Sequence, residues 1–191
     1  MELVGRDGEL EALGRAIADV RAGGRRTIGL LGEAGIGKTA LVGAALGEAA
    51  RQSLLVLAGS AAEHERDVPF SLVVDALDDH VATMSATRVA AAGRELAAVL
   101  PSSGIDDGSV PPAAPGPAER FRYHRALRSL LELIGRERPY VLAFDDVHWA
   151  DEASVELVLH LLRRAPRVPH LLVFALRPVD PAPRLIDAAR A

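Results

Sequence analysis

The 191-residue chain contains no cysteine, which excludes disulfides and thiolate-bound metals and suits a reducing compartment. Positive charge is not in excess. A net charge of -4 and a pI of about 5.9 give no general electrostatic case for nucleic acid or an anionic membrane. No apolar run approaches the roughly 20 residues needed to span a bilayer. The opening MELVGRDGEL is acidic and polar, unlike a secretory signal. These absences lead to the expectation of a soluble, cytoplasmic protein with no membrane partner. The length suits one domain, 1–191, with a real core. Lysine is the last scarcity: of 22 lysines plus arginines, 21 are arginine, and Lys38 stands alone.

Along the chain, apolar runs alternate with apolar-periodic stretches. Leu10, Leu13, Ile17 and Val20 share one face of a helix over 7–22, with Asp7 available as its cap. A short buried strand follows at 27–31, then a glycine-rich loop, then a helix carrying Leu41, Val42, Ala45, Leu46 and Ala49. Further strands are expected at 53–60, 139–144 and 170–176. Further helices are expected at 70–81, over much of 84–100, at 119–135, at 152–164 and from 181 to the end. Residues 101–118, PSSGIDDGSVPPAAPGPA, read as a mobile loop. Continuous apolar strands alternating with helices point to an α/β fold, a mostly parallel sheet covered on both faces.

GEAGIGKT, at 32–39, places Gly32, Gly37, Lys38 and Thr39 at every fixed position of G-x-x-x-x-G-K-[ST], between an expected strand and an expected helix. Successive backbone N–H groups can curl around phosphate oxygens only where side-chain bulk is absent and unusual φ/ψ is allowed. The helix that follows aims its N-terminus at the same anion. Lys38 supplies a compact point charge for the β- and γ-phosphates, and Thr39 a hydroxyl for Mg²⁺. The planar fork of an arginine does not fit that crook, which explains the one retained lysine. The expected phosphate-binding set is Gly32, Glu33, Ala34, Gly35, Ile36, Gly37, Lys38, Thr39 and Ala40.

A second cluster lies about 100 residues downstream. YVLAFDD is an apolar strand ending in Asp145 and Asp146. One strand-end carboxylate, Asp145, gives Mg²⁺ a hard oxygen ligand, and its neighbour Asp146 can orient or deprotonate an attacking water. In HWAD, the sole tryptophan, Trp149, is expected to pack the strand-to-helix corner. Asp151 should cap the next helix, and His148 reads as a hydrogen-bonded turn residue. Arg120, Arg122, Arg125 and Arg128 read as a solvated or partner-facing helix surface.

GEAGIGKT together with VLAFDDVHWAD resembles the nucleotide-binding domain of the STAND class of AAA-related P-loop ATPases, and most nearly the large ATP-binding regulators of the LuxR type. The opening LVGRDGELEAL, VPFSLVVDAL, AERFRYHRALRSLLE and LLVFALRP are similar to that family as well. The resemblance implies a three-layer P-loop NTPase fold that binds ATP or ADP with Mg²⁺. It implies that Val4, Gly5 and Arg6 lie against adenine and ribose, and that Arg177 is a sensor for the γ-phosphate. Lys38, Asp146 and Arg177 are then the catalytic set. The implied function is slow ATP hydrolysis as the nucleotide switch of a signal-responsive transcription regulator. A non-hydrolysing interaction module and an AAA+ loader-type ATPase are the alternatives. Relatives of this kind continue into a fifth strand, a lid and further domains, so the chain reads as ending before them, with strand one at an edge of the 5-1-4-3-2 order. No DNA contact is expected from these residues. Self-association or contact with C-terminal domains is the expected protein partnership.

Overall fold

The computed structural model describes residues 5–106 and 116–190. Four strands, β1 (Arg25–Leu31), β2 (Leu55–Ser60), β3 (Tyr140–Asp145) and β4 (His170–Leu176), form one sheet in the order β1-β4-β3-β2. Every pairing is parallel, with Arg25 opposite His170, Tyr140 opposite His170 and Leu55 opposite Tyr140. The expected α/β class and strand order hold. β1 and β2 are the edges of the described sheet, and Leu31 on β1 is 49% exposed.

The strands alternate, and the alternation sorts side chains by size. Val141 and Ala143 of β3, with Leu171, Val173 and Ala175 of β4, face α1 (Asp7–Arg21) and α2 (Lys38–Arg51). On that side they meet Ile17, Val20, Leu41 and Val42. The larger residues Tyr140, Leu142, Phe144, Leu172 and Phe174 face the other way. There they meet α3 (Ser71–Val81), α5 (Pro117–Glu137), α6 (Glu152–Arg163) and α7 (Ala182–Arg190). Two separate cores with a sheet between them make the three layers.

Local differences from the sequence reading have local causes. Asp7 lies inside the first turn of α1, and Arg6 occupies the capping position without a side-chain cap bond. The helix expected over much of 84–100 is broken: α4 covers Ala86–Ala92, and a 3-10 stretch covers Arg94–Ala98. Gly93 separates them at φ 156°, where an added Cβ would stand 2.6 Å from that of Ala126 on α5. Close helix approach overrides the helical propensity of the alanine-rich run. Both ends of the stretch expected as a mobile loop carry regular structure instead. Pro101–Ser103 forms a 3-10 turn pinned to α3, where the Asp78 carboxylate accepts from Ser102 N (2.8 Å) and Ser102 Oγ (2.7 Å). At the other end Pro117 opens α5. The part of that loop at 107–115 lies outside the described residues.

Candidate nucleotide site

Parallel pairing brings the C-terminal ends of β1, β4 and β3 side by side. Whatever follows those strands therefore shares one rim. After β1 comes Gly32, whose N–H donates to Leu176 O at 3.3 Å. After β4 comes Arg177, and β3 ends at Asp145 with Asp146 next. A cavity of about 610 Å³ opens on this rim, lined by Ala34, Gly35, Gly37, Lys38, Thr39, Ala40, Ala44, Asp146 and Arg177. Residues separated by up to 143 positions in sequence (Ala34 to Arg177) meet here.

The loop gets its shape from backbone that side chains resist. Gly37 is left-handed at φ 95°, immediately before α2 begins, and so turns the chain into the helix without a Cβ clash. The Lys38 side chain folds back inside the loop. Its Nζ donates to Gly32 O at 2.7 Å and to Glu33 O at 2.9 Å, and the residue is only 8% exposed. An ammonium has three donors, so two carbonyls hold it while one donor remains for a ligand oxygen. Thr39 lies exposed in the first turn of α2, where backbone N–H groups lack helical partners.

Asp145 is 7% exposed, and its position is fixed twice. Its carbonyl accepts from Ala61 N at 3.1 Å, and its Oδ1 accepts from Asp146 N at 2.8 Å. Thr39 lines the cavity and Asp145 does not; both carry hard oxygen donors, the kind that suits Mg²⁺ and not a soft metal. Among the described residues no group of three or more His, Asp or Glu side chains could hold a metal unaided, so such a cation would complete its shell with phosphate or water.

Asp146 adopts left-handed backbone at φ 49°, which starts the 3-10 turn Val147–Trp149 and leaves its carboxylate partly exposed at the cavity. His148 Nδ1 lies 3.8 Å from Asp146 Oδ1. Contrary to the expectation of a hydrogen-bonded turn residue, His148 is buried and both ring nitrogens lack a hydrogen-bond partner among the described residues. Burial lowers its pKa from the ordinary value. Asp146 opposes that shift, while Arg177, Lys38 and Arg66 reinforce it. A neutral imidazole therefore sits behind the acid.

Trp149 does more than fill a corner. The guanidinium of Arg66 lies 5.3 Å from its ring centroid and that of Arg177 5.8 Å. Arg177 Nε is buried without a hydrogen-bond partner among the described residues, so this aromatic face, and not a carboxylate, flanks the arginine beside the cavity. Asp151 caps α6 as expected, accepting from Ser154 N at 2.9 Å, and it also accepts from Phe70 N at 2.9 Å.

The other expected site residues divide. Gly5 is exposed, and Val4 lies outside the described residues. Arg6 does not line the larger cavity. Its guanidinium donates to Ile36 O at 2.8 Å and to Glu9 Oε1 at 2.6 Å, buttressing the phosphate loop from outside. Arg6, Ile36 and Lys38 border a smaller cavity of about 200 Å³ there. Gly32, Glu33 and Ile36 shape the loop without lining the larger cavity. Two contributors were not found in the sequence reading. Ala44 sits one helical turn beyond Ala40, a spacing that could have revealed it. Arg66 lies next to an irregular turn at Glu63–Glu65 and carries no sequence signal.

A sequence profile described as an AAA ATPase domain matches residues 2–174. The chain belongs to the AAA ATPase domain family. An uncharacterized protein of Rhizobium meliloti (strain 1021) is 30% identical over 206 aligned residues, covering 98% of this chain and 19% of that protein. The chain thus spans about a fifth of the length of this curated relative. Among solved structures it resembles the Aeropyrum pernix ORC1 protein, determined in complex with DNA. The TM-score is 0.56 and the identity 18%, over 98% of this chain and 44% of that one. The shared feature there is the fold. The AAA ATPase domain therefore carries its P-loop at the expected rim of an ORC1-like α/β fold. No helix among its described residues is long and apolar enough to cross a membrane.

Proposed function

We propose that this AAA ATPase domain binds Mg·ATP in the 610 Å³ cavity and hydrolyses it slowly. The observation that carries the reading is convergence: Lys38, Asp146 and Arg177, from three separate segments, line one cavity. In this reading the loop amides and Lys38 hold the phosphates. Thr39 and Asp145 would hold Mg²⁺, which neutralises charge on the phosphates when bound. Asp146 accepts a hydrogen bond from the attacking water and aligns it with the γ-phosphorus. His148 stays neutral behind Asp146 and so sets no positive charge against the carboxylate. Arg177 stabilises charge on the γ-phosphate, and Trp149 flanks it there. Arg6, Gly5 and Val4 would serve the site from outside the loop, toward the base.

The motif resemblance to STAND-class, LuxR-type regulators supports a further step. The domain would act as the nucleotide switch of a cytoplasmic, signal-responsive transcription regulator, through contacts with other domains or other copies. The ORC1 relative was solved with DNA, but at 18% identity that likeness carries the fold alone and gives DNA no surface on this domain.

The test is single-turnover ATP hydrolysis with Mg²⁺, beside a binding titration. Wild type should turn over slowly. Asp146→Asn should keep its ATP affinity and lose at least tenfold in rate, about 1.4 kcal/mol of barrier. Tight binding with an Asp146→Asn rate equal to a measurable wild-type rate would remove Asp146 from the chemistry, and tight binding with no turnover by wild type would favour a non-hydrolysing interaction module.

A further inference from the structure

The opposite end of the sheet holds a second cavity that the ATPase reading does not use. α5 leads down into β3 and α6 leads back from it, so the two helices run side by side in one direction. Arg120 pairs with Glu156, and the His124 and His160 rings lie 5.6 Å apart along this seam. Toward their C-terminal ends the seam opens into a cavity of about 580 Å³. Six arginines line it: Arg125 and Arg128 from α5, Arg163 and Arg164 from the end of α6, Arg167 from the following loop, and Arg25 from the start of β1.

Carboxylates are scarce there. Glu132 pairs with Arg128 at 3.3 Å and accepts from the Arg167 backbone N–H at 3.1 Å. Arg25, Arg125, Arg163, Arg164 and Arg167 have no carboxylate within ion-pair distance among the described residues. Ordinary structural needs explain part of the set. Arg163 and Arg164 suit the negative end of the α6 dipole, and Arg128 has its glutamate. Arg125 in mid-helix, Arg25 at a strand start and Arg167 in a loop gain nothing of that kind. Like charges converging in one concavity repel, and a chain with net charge -4 has no compositional reason to gather them. His160 at the same wall adds no charge at neutral pH. Burial, then His124, Arg128 and Arg164, push its pKa down to about 4. Beside it Phe121, 48% exposed, meets the His160 ring edge-on at 6.3 Å and gives the cavity one apolar shoulder.

Guanidinium forks match phosphate oxygens in pairs. A cavity of this size suits a compact ligand, not a long polymer. We propose that the α5–α6 cavity binds a compact oligophosphate, either inorganic or the phosphate chain of a nucleoside polyphosphate. Its arginines would hold the phosphates, and Phe121 would offer a face to any attached base.

The experiment is calorimetry with sodium tripolyphosphate on the Lys38→Ala protein, in which the phosphate loop no longer competes. Binding is expected. It should weaken at least tenfold when Arg125→Glu and Arg164→Glu are added, with circular dichroism unchanged. If charge reversal unfolds the domain, Arg125→Gln with Arg164→Gln should give the same tenfold loss. Magnesium-free ATP distinguishes the two sources. For a nucleotide it should bind more tightly than tripolyphosphate, and Phe121→Ala should remove the difference. For an inorganic ligand the two should bind alike. The proposal is overturned if tripolyphosphate does not bind the Lys38→Ala protein, or if the arginine variants bind it unchanged. It is also overturned if only a 20-nucleotide oligo-dT or polyglutamate binds, since that would make the patch a surface for an extended polyanion.

Discussion

The two ends of the one parallel sheet carry cavities of similar volume, about 610 and 580 Å³, built in opposite ways. The C-terminal rim holds one lysine, one arginine and strand-end aspartates, with the lysine fixed by two backbone carbonyls. The N-terminal end holds six arginines, one of which has a carboxylate partner among the described residues. The first places few charges and controls their geometry. The second gathers many flexible charges around an open space. Position can discriminate between ligand states; charge density gives affinity for anions with less discrimination. The lower cavity should therefore be tolerant where the upper is selective.

Breaking the upper site should have the largest effect. Lys38→Ala should lower Mg·ATP affinity at least 100-fold, about 2.7 kcal/mol, in a calorimetric titration. The fold should remain, because the side chain is hydrogen-bonded only to the loop carbonyls of Gly32 and Glu33.

A smaller effect sharpens the idea of selectivity. Arg177→Ala should weaken ATP by about tenfold, about 1.4 kcal/mol, while changing ADP affinity by less than about twofold. Trp149→Leu should shift the ATP-to-ADP ratio the same way by about threefold, since it removes the face flanking the guanidinium without removing the charge. Competition of the two nucleotides for one fluorescent analogue reads both. Equal weakening of ATP and ADP would leave Arg177 a strand-end charge with no sensing role.

The weakest expected effect is on stability, and it belongs to the seam that leads to the lower cavity. His160 falls from an ordinary 6.5 to about 4 in the folded protein, chiefly by burial. Between those values the unfolded chain binds a proton that the folded chain refuses. This contribution to stability is thus complete above about pH 6.5 and is lost as pH falls toward 4. His80, His124, His148 and His170 are shifted in the same direction, also chiefly by burial. The urea midpoint should accordingly be lower at pH 5 than at pH 7.5, and His160→Leu should flatten the difference. The single-histidine effect should be small because the ring is half-buried and partly screened by solvent.

How much was legible in the sequence follows the same contrast. The phosphate loop is contiguous, so its glycines, lysine and threonine announce themselves within eight residues. Asp145 and Asp146 were legible because an apolar strand stops at them. Arg177 came from the family resemblance of LLVFALRP, and its place directly after the strand HLLVFAL of a parallel sheet puts it on the same rim. The Arg66–Trp149–Arg177 arrangement was not legible, since cation–π partners have no fixed spacing. Nor was the clasp of Arg6 on Ile36, a contact across 30 residues. The lower cavity escaped for the same reason: its arginines come from separate segments, and Arg125 and Arg128 alone read as a solvated helix face. The break at Gly93 depended on Ala126, a neighbour that only the tertiary fold supplies.

The lysine that stands alone among 21 arginines tests the account most directly. If the upper site works by placing a compact charge between the Gly32 and Glu33 carbonyls, then Lys38→Arg keeps the charge and loses the fit. Titration of Mg·ATP into the Lys38→Arg protein should show an affinity at least tenfold below wild type, close to that of Lys38→Ala. A Lys38→Arg protein that binds Mg·ATP as tightly as wild type would contradict the account, because charge alone would then suffice.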